Sequence, residues 1–114
     1  MNVIVPISSF LAIISALLLL IINPGIIYSD NKSKKKEKIY CSYCKFLYPI
    51  NKKLEHCDEC GVCICNYDHH CGVIGKCVGK YNKILFCLFV LSISGFILSF
   101  YLILLNLIFF KEGE

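Results

Sequence analysis

The sequence has no arginine and no tryptophan, and two long stretches of it carry no charge. Each absence excludes something. Without arginine, a basic segment lacks the side chain best suited to gripping phosphates and reading guanine edges, which argues against nucleic-acid binding. The uncharged stretches run from Val3 to Ile27 and from Ile84 to Phe110. At about 1.5 Å per residue, either is longer as a helix than the roughly 30 Å hydrocarbon core of a bilayer. The first also lacks the basic leader and the short apolar core, about 7–15 residues, of a cleaved signal peptide. Both therefore read as transmembrane helices. No phosphate-cradling glycine loop and no internal repeat are visible in the sequence.

What is present lies between those stretches. Of twelve lysines all but Lys111 fall between Asp30 and Lys83, and of nine cysteines all but Cys87 lie outside the apolar blocks. The positive-inside rule then puts the central segment in the cytosol and both termini on the opposite side. In that reducing compartment, clustered cysteines read as metal-binding or catalytic rather than as a disulfide framework. An odd number of cysteines also suits a free thiol.

The first helix is expected to start near Pro6 and end at Pro24-Gly25. Ser8, Ala12 and Ala16, with Gly95 and Ser99 in the second helix, have the four-residue spacing that lets membrane helices approach closely. The run Lys32 to Lys38 reads as a linker near the membrane surface, attracted to anionic headgroups by about 1 kcal/mol per lysine.

From Tyr40 to Lys83 the apolar residues are scattered, and a core this small needs a staple. Cys41-x2-Cys44, then His56-Cys57-x2-Cys60-x2-Cys63, then His70 and Cys77 supply eight ligands, enough for two closed Cys3His zinc sites. Each site is worth about 10–16 kcal/mol of folding free energy. Neighbours His56 and Cys57 point apart in an extended segment, so they more easily serve two ions than one. That favours Cys41, Cys44, His56 and Cys63 on one zinc, with Cys57, Cys60, His70 and Cys77 on the other. Pairing Cys41 and Cys44 with Cys57 and Cys60 is the alternative left open by spacing.

The same alternation, applied to "HHC" at residues 69–71, puts His69 and Cys71 on one side and His70 on the other. His70 can then turn to zinc, leaving His69 beside a thiol it can activate. Asp68 could orient His69, provided that a turn brings it there. In the competing reading Cys71 is a metal ligand and His69 a surface residue, and spacing leaves the two level. Cys65 reads as structural, and Cys87 as a small apolar helix residue.

The residues "YCSYC…HCDECGVCICNYDHHCGVIGKCVGKYN" resemble the cysteine-rich domain of DHHC-type protein S-acyltransferases, or palmitoyltransferases, from Cys41 to about Phe86. The flanking helices correspond in position to the second and third of that family's usual four. The resemblance implies the interleaved zinc sites, with Asp68, His69 and Cys71 catalytic. Cys71 would accept a fatty acyl group from acyl-coenzyme A and pass it to a cysteine of a membrane-associated protein. Departures are Gly72-Val73 for a usual Pro-Trp, Gly75-Lys76 for an asparagine pair, and a longer stretch between Cys44 and His56, expected to enlarge a hairpin. The family's cytosolic Thr-Thr-x-Glu motif has no counterpart.

The expected fold is thus an α-helical membrane protein in which two transmembrane helices flank a small, irregular, β-hairpin-containing double-zinc domain. Its parts are a first helix and exit turn (1–28), a lysine-rich linker (29–39), the zinc domain (40–83), a second helix (84–110) and a tail (111–114). The expected activity is that of a protein-cysteine S-palmitoyltransferase with two structural Zn2+ ions. Its expected place is the endomembrane system or plasma membrane, with both termini lumenal or extracellular. Two helices enclose an acyl chain poorly, so a second copy or a companion membrane protein would complete the cavity, unless the chain is a fragment. The rival from another class is a non-catalytic zinc-stabilised scaffold, or an inactive relic of the family.

Overall fold

The computed structural model describes residues 3–28, 38–49 and 53–110. The lysine-rich linker lies almost wholly outside the described residues, as does the tail after Phe110. The chain forms two compact units, one helical and one, Leu19–Ile84, built around β-hairpins.

The helical unit contains most of α1 (Ile4–Ile21) and α2 (Lys83–Phe110). Both are long and apolar enough to cross a membrane. Most of their large apolar side chains face outward, as on a helix meant for an apolar surround. Along the helical unit the buried residues are small, Ser8, Ser15 and Ser99, while Leu19 near the end of α1 is buried in the hairpin unit. A Cβ added at Gly95 would stand 4.0 Å from that of Ser8. On α1 the buried serine two turns beyond Ser8 is Ser15, whereas Ala16 is only half-buried, because two turns of 3.6 residues advance the face by about seven positions, not eight. The Ser8 and Ser15 hydroxyls donate back to Val5 and Leu11 carbonyls, at 3.1 and 2.7 Å, so close packing leaves no orphaned donor there.

Helix α1 stops at Ile21, earlier than Pro24-Gly25. Asn23 accounts for the difference: its Oδ1 accepts from the backbone N–H of Gly25 and of Ile26, both at 2.8 Å. A side chain that captures those donors favours a turn over another helical turn.

The second unit is three antiparallel hairpins, β2–β3 (Lys38–Cys41, Phe46–Pro49), β4–β5 (Leu54–Cys57, Val62–Cys65) and β6–β7 (His69–Cys71, Lys76–Val78). A short strand β1 (Ile26–Ile27) pairs with β5, so the exit turn of α1 is part of the domain's sheet rather than a separate segment. These hairpins repeat, contrary to the impression given by the sequence. Each strand ends in a cysteine (Cys41, Cys57, Cys71), passes a turn, and resumes after a residue in the left-handed region: Lys45 at φ 56°, Gly61 at 66°, Gly75 at 60°. The register is also shared, with Cys41 opposite Phe46, Cys57 opposite Val62 and Cys71 opposite Lys76. The repeat escapes the eye because its equivalent positions carry different residues. The turns of the three described hairpins are equal in length, and the enlargement expected between Cys44 and His56 falls partly on residues 50–52, outside the described residues.

The core of this unit consists largely of cysteine. Cys63 and Cys77 are wholly buried, alongside Ile64, Val78 and the Asn82 amide. Asn82 accepts from the Gly79 N–H at 2.8 Å and donates to the Cys77 carbonyl at 2.9 Å, pinning the end of β7 to the start of α2. Gly79 has no room for a side chain: a Cβ there would meet the Pro24 carbonyl oxygen at 2.5 Å and Ile64 Cγ2 at 2.6 Å.

Candidate metal centres and the cysteine outside them

Alternation along each strand sorts the donors. On β4 and β5, His56 and Cys63 are cross-strand partners and face one side, whereas Cys57 faces the other. On β6 and β7, His70 and Cys77 are partners in the same way. Each of these His–Cys pairs meets the Cys-x2-Cys turn of the hairpin before it. Cys41, Cys44, His56 and Cys63 form one group and Cys57, Cys60, His70 and Cys77 the other, with donor atoms within 4.8 Å of one another. This is the interleaved grouping; Cys57 and Cys60 do not join Cys41 and Cys44.

The distances suit a tetrahedral ion. With Zn–S about 2.3 Å and Zn–N about 2.0 Å, tetrahedral S···N and S···S edges come to about 3.5 and 3.8 Å. Here His56 Nδ1 lies 3.7, 3.2 and 3.8 Å from the sulfurs of Cys41, Cys44 and Cys63. His70 Nδ1 lies 3.6, 3.3 and 3.6 Å from those of Cys57, Cys60 and Cys77. Two such Cys3His sets are compatible with two zinc ions, which would act as structural staples.

Both histidines present Nδ1 to the sulfurs, which frees Nε2 for a carboxylate. His70 Nε2 lies 3.1 Å from Glu59 and His56 Nε2 lies 3.7 Å from Asp58. One turn, Asp58-Glu59 between two ligand cysteines, thus orients the imidazoles of both groups, the outer-shell arrangement common at zinc. Tyr43 stacks on the His56 ring at 4.7 Å between centroids. The acids were visible in "HCDEC", but their partners were not.

Among the described cysteines, Cys65, Cys71 and Cys87 lie outside both groups. Cys65 is buried in the core beside Cys63, and Cys87 is on α2. Cys71 is only half-buried. In the hairpin repeat it is the first cysteine of a third turn, but Ile74 stands where Cys44 and Cys60 supply the second, and among the described strands no further His–Cys pair follows. It shares a strand face with His69, two residues away, and not with His70.

A turn does bring Asp68 to His69. Asn66 takes a left-handed φ of 48°, and the Asp68 N–H donates to the Val78 carbonyl at 2.9 Å. Asp68 Oδ2 is then 3.0 Å from His69 Nδ1, so that Nε2 is the nitrogen turned away from the carboxylate. Asp68 Oδ1 accepts from Lys83 Nζ at 2.6 Å. The Lys83 ammonium, with His69 second, holds the Asp68 carboxyl below the usual carboxylate range. Lys83, fifteen residues on, gave no sequence signal. A carboxylate bound between an ammonium and an imidazole fixes the ring's tautomer and steadies an imidazolium.

A family profile described as DHHC palmitoyltransferase matches residues 34–113. Among curated proteins, the chain is 40% identical over 70 residues to palmitoyltransferase ZDHHC9 of Homo sapiens, covering 61% of this chain and 18% of that protein. It is 39% identical over 72 residues to palmitoyltransferase ZDHHC17 of Danio rerio (53% and 11%). To palmitoyltransferase ZDHHC14 of Homo sapiens it is 44% identical over 55 residues (48% and 11%). The aligned region thus spans less than a fifth of each of these relatives.

Proposed function

Because the chain belongs to the DHHC palmitoyltransferase family, we propose that it is a protein S-acyltransferase whose nucleophile is Cys71. The carrying observation is the position of Cys71: outside both donor groups, half-exposed, and on the strand face of a histidine already paired with a carboxylate. His69 takes the thiol proton. The Cys71 thiolate attacks the carbonyl of a fatty acyl-coenzyme A, forming a new S–C bond, and coenzyme A leaves as a thiolate that takes up the proton. A cysteine thiolate of a protein substrate then attacks the acylated Cys71, whose own thiolate is the leaving group. Thioester is exchanged for thioester, so the site has to activate and position rather than supply driving force.

In this reading the two zinc ions are held by Cys41, Cys44, His56 and Cys63 and by Cys57, Cys60, His70 and Cys77, and fix the hairpins that carry Asp68, His69 and Cys71. The helices α1 and α2 span a membrane, with the zinc domain cytosolic beside its lysines. The acyl chain lies in the bilayer against α1 and α2, which leave an apolar groove of about 370 Å³ lined by Ile4, Ile7, Leu11, Leu88 and Leu91 with Ser8 and Ser92. Further helices, from a second copy or a companion protein, close it.

The test is to incubate the purified chain with radiolabelled palmitoyl-coenzyme A. Wild type is expected to acquire a hydroxylamine-sensitive label, and Cys71→Ser to acquire none while retaining two zinc ions. Loss of one zinc in Cys71→Ser would make Cys71 a ligand and overturn the assignment. A fully metallated wild type that takes up no label, alone or with a companion, would leave the scaffold reading.

A further inference from the structure

The third hairpin differs from the other two at the residue directly opposite its first cysteine. There the first and second hairpins have Phe46 and Val62, both apolar, and the third has Lys76. Cross-strand partners stand on the same face, so Lys76 issues from the face that carries Cys71 and His69. A lysine there would be expected to serve as counter-ion to a cysteine thiolate. Its ammonium goes elsewhere. Lys76 Nζ donates to the carbonyls of Leu19, Leu20 and Ile22 at 3.2, 3.0 and 2.7 Å.

Those carbonyls lie at the C-terminal end of α1, where a helix has four acceptors with no internal partner and the negative end of its dipole. The last turn of α1 contains no basic residue of its own. An ammonium has three protons to donate, and here three carbonyls receive them. The contacts join residues more than fifty positions apart; those to Leu19 and Ile22 are partly buried and so sheltered from competing water, and the one to Leu20 is exposed.

We propose that Lys76 is a positioning residue for Cys71. It ties the strand opposite the nucleophile to the end of α1, so that the hairpin tip of Gly72, Val73, Ile74 and Gly75 cannot swing and carry the sulfur off its line of attack. It acts through the backbone of β7 and meets neither acyl donor nor sulfur. This rests on the reading of Cys71 as the acylated thiol, and deepens it by naming what holds that thiol in place.

The experiment uses the full chain in nanodiscs, with Lys76→Met and Lys76→Arg. Methionine puts an apolar side chain where the other hairpins have one, so both variants should fold and retain two zinc ions. Three quantities are measured: hydrogen exchange of residues 71–78, the maximal rate of single-turnover labelling by palmitoyl-coenzyme A, and the concentration giving half that rate. For Lys76→Met, faster exchange is expected, with a maximal rate about 10–100-fold lower, the usual result of a misplacement near 1 Å. The half-saturating concentration should not move, and Lys76→Arg should recover most of the rate by restoring donors to the same carbonyls. An unchanged maximal rate in Lys76→Met, or a rise in half-saturating concentration alone, would overturn the proposal. Should wild type itself take no label, the acyltransferase reading fails, and exchange decides the clamp separately: faster in Lys76→Met upholds it, unchanged refutes it.

Discussion

His69 and His70 are adjacent, yet their removal should have opposite consequences. His70 Nδ1 sits 3.6, 3.3 and 3.6 Å from three ligand sulfurs, and its ring lies 3.1 Å from Glu59 through Nε2. His70→Ala leaves that group with three thiols and an open corner. A structural zinc is worth about 10–16 kcal/mol, and small domains have only about 5–15 kcal/mol in all, so weakening one site severely is enough to unfold the hairpins around it. His69 lies on the opposite strand face from His70, outside the donor group, and touches Asp68 instead. His69→Ala should keep both zinc ions and slow acylation of Cys71 by about 10²–10⁴-fold, or about 2.7–5.4 kcal/mol at 1.36 kcal/mol per decade. The assay is paired: bound zinc by elemental analysis of the purified protein, and single-turnover labelling with palmitoyl-coenzyme A on the same sample. The reasoning is refuted if His69→Ala loses an ion, or if His70→Ala keeps two and remains active. Either result would mean that β6 does not present its side chains alternately to metal and to nucleophile.

Three further outcomes are expected. Glu59→Gln should weaken zinc at the His70 group by about 10–100-fold in a chelator competition, and Asp58→Asn should do less, because its carboxylate lies 3.7 Å from His56 rather than 3.1 Å; equal effects would sink the outer-shell role. Gly79→Ala should lower the stability of the hairpin unit by about 1–3 kcal/mol or more in denaturant titration, since the added methyl meets the Pro24 carbonyl oxygen, next to Gly25, whose own carbonyl accepts from the Cys65 N–H. A glycosylation tag placed before Val3 or after Glu114 should be modified in microsomes, and one at Lys34 should not; the reverse pattern would undo the cytosolic placement of the zinc domain.

Much of this protein is legible in short-range patterns. Two uncharged stretches dictate two long apolar helices, because composition alone decides whether a helix can be surrounded by lipid. The Cys-x2-Cys turns and the His–Cys neighbours point to two Cys3His donor sets suited to metal, because alternation is a property of any extended chain. The same alternation separates His69 from His70 before any fold is known. How the eight donors divide into two groups was left open by spacing and decided by the tertiary structure. Cross-strand register joins His56 to Cys63 and His70 to Cys77, and each pair to the turn of the preceding hairpin; register depends on how strands pair, which a ligand count does not specify. The pairing of β1 with β5 draws the exit of α1 into the domain, and Asn23 ends that helix sooner than Pro24-Gly25 would. Lys83 finds Asp68 across fifteen residues, and Lys76 finds the end of α1 across more than fifty. Periodicity carries no information at such separations. Only the folded path of the chain brings those charges to the groups that need them.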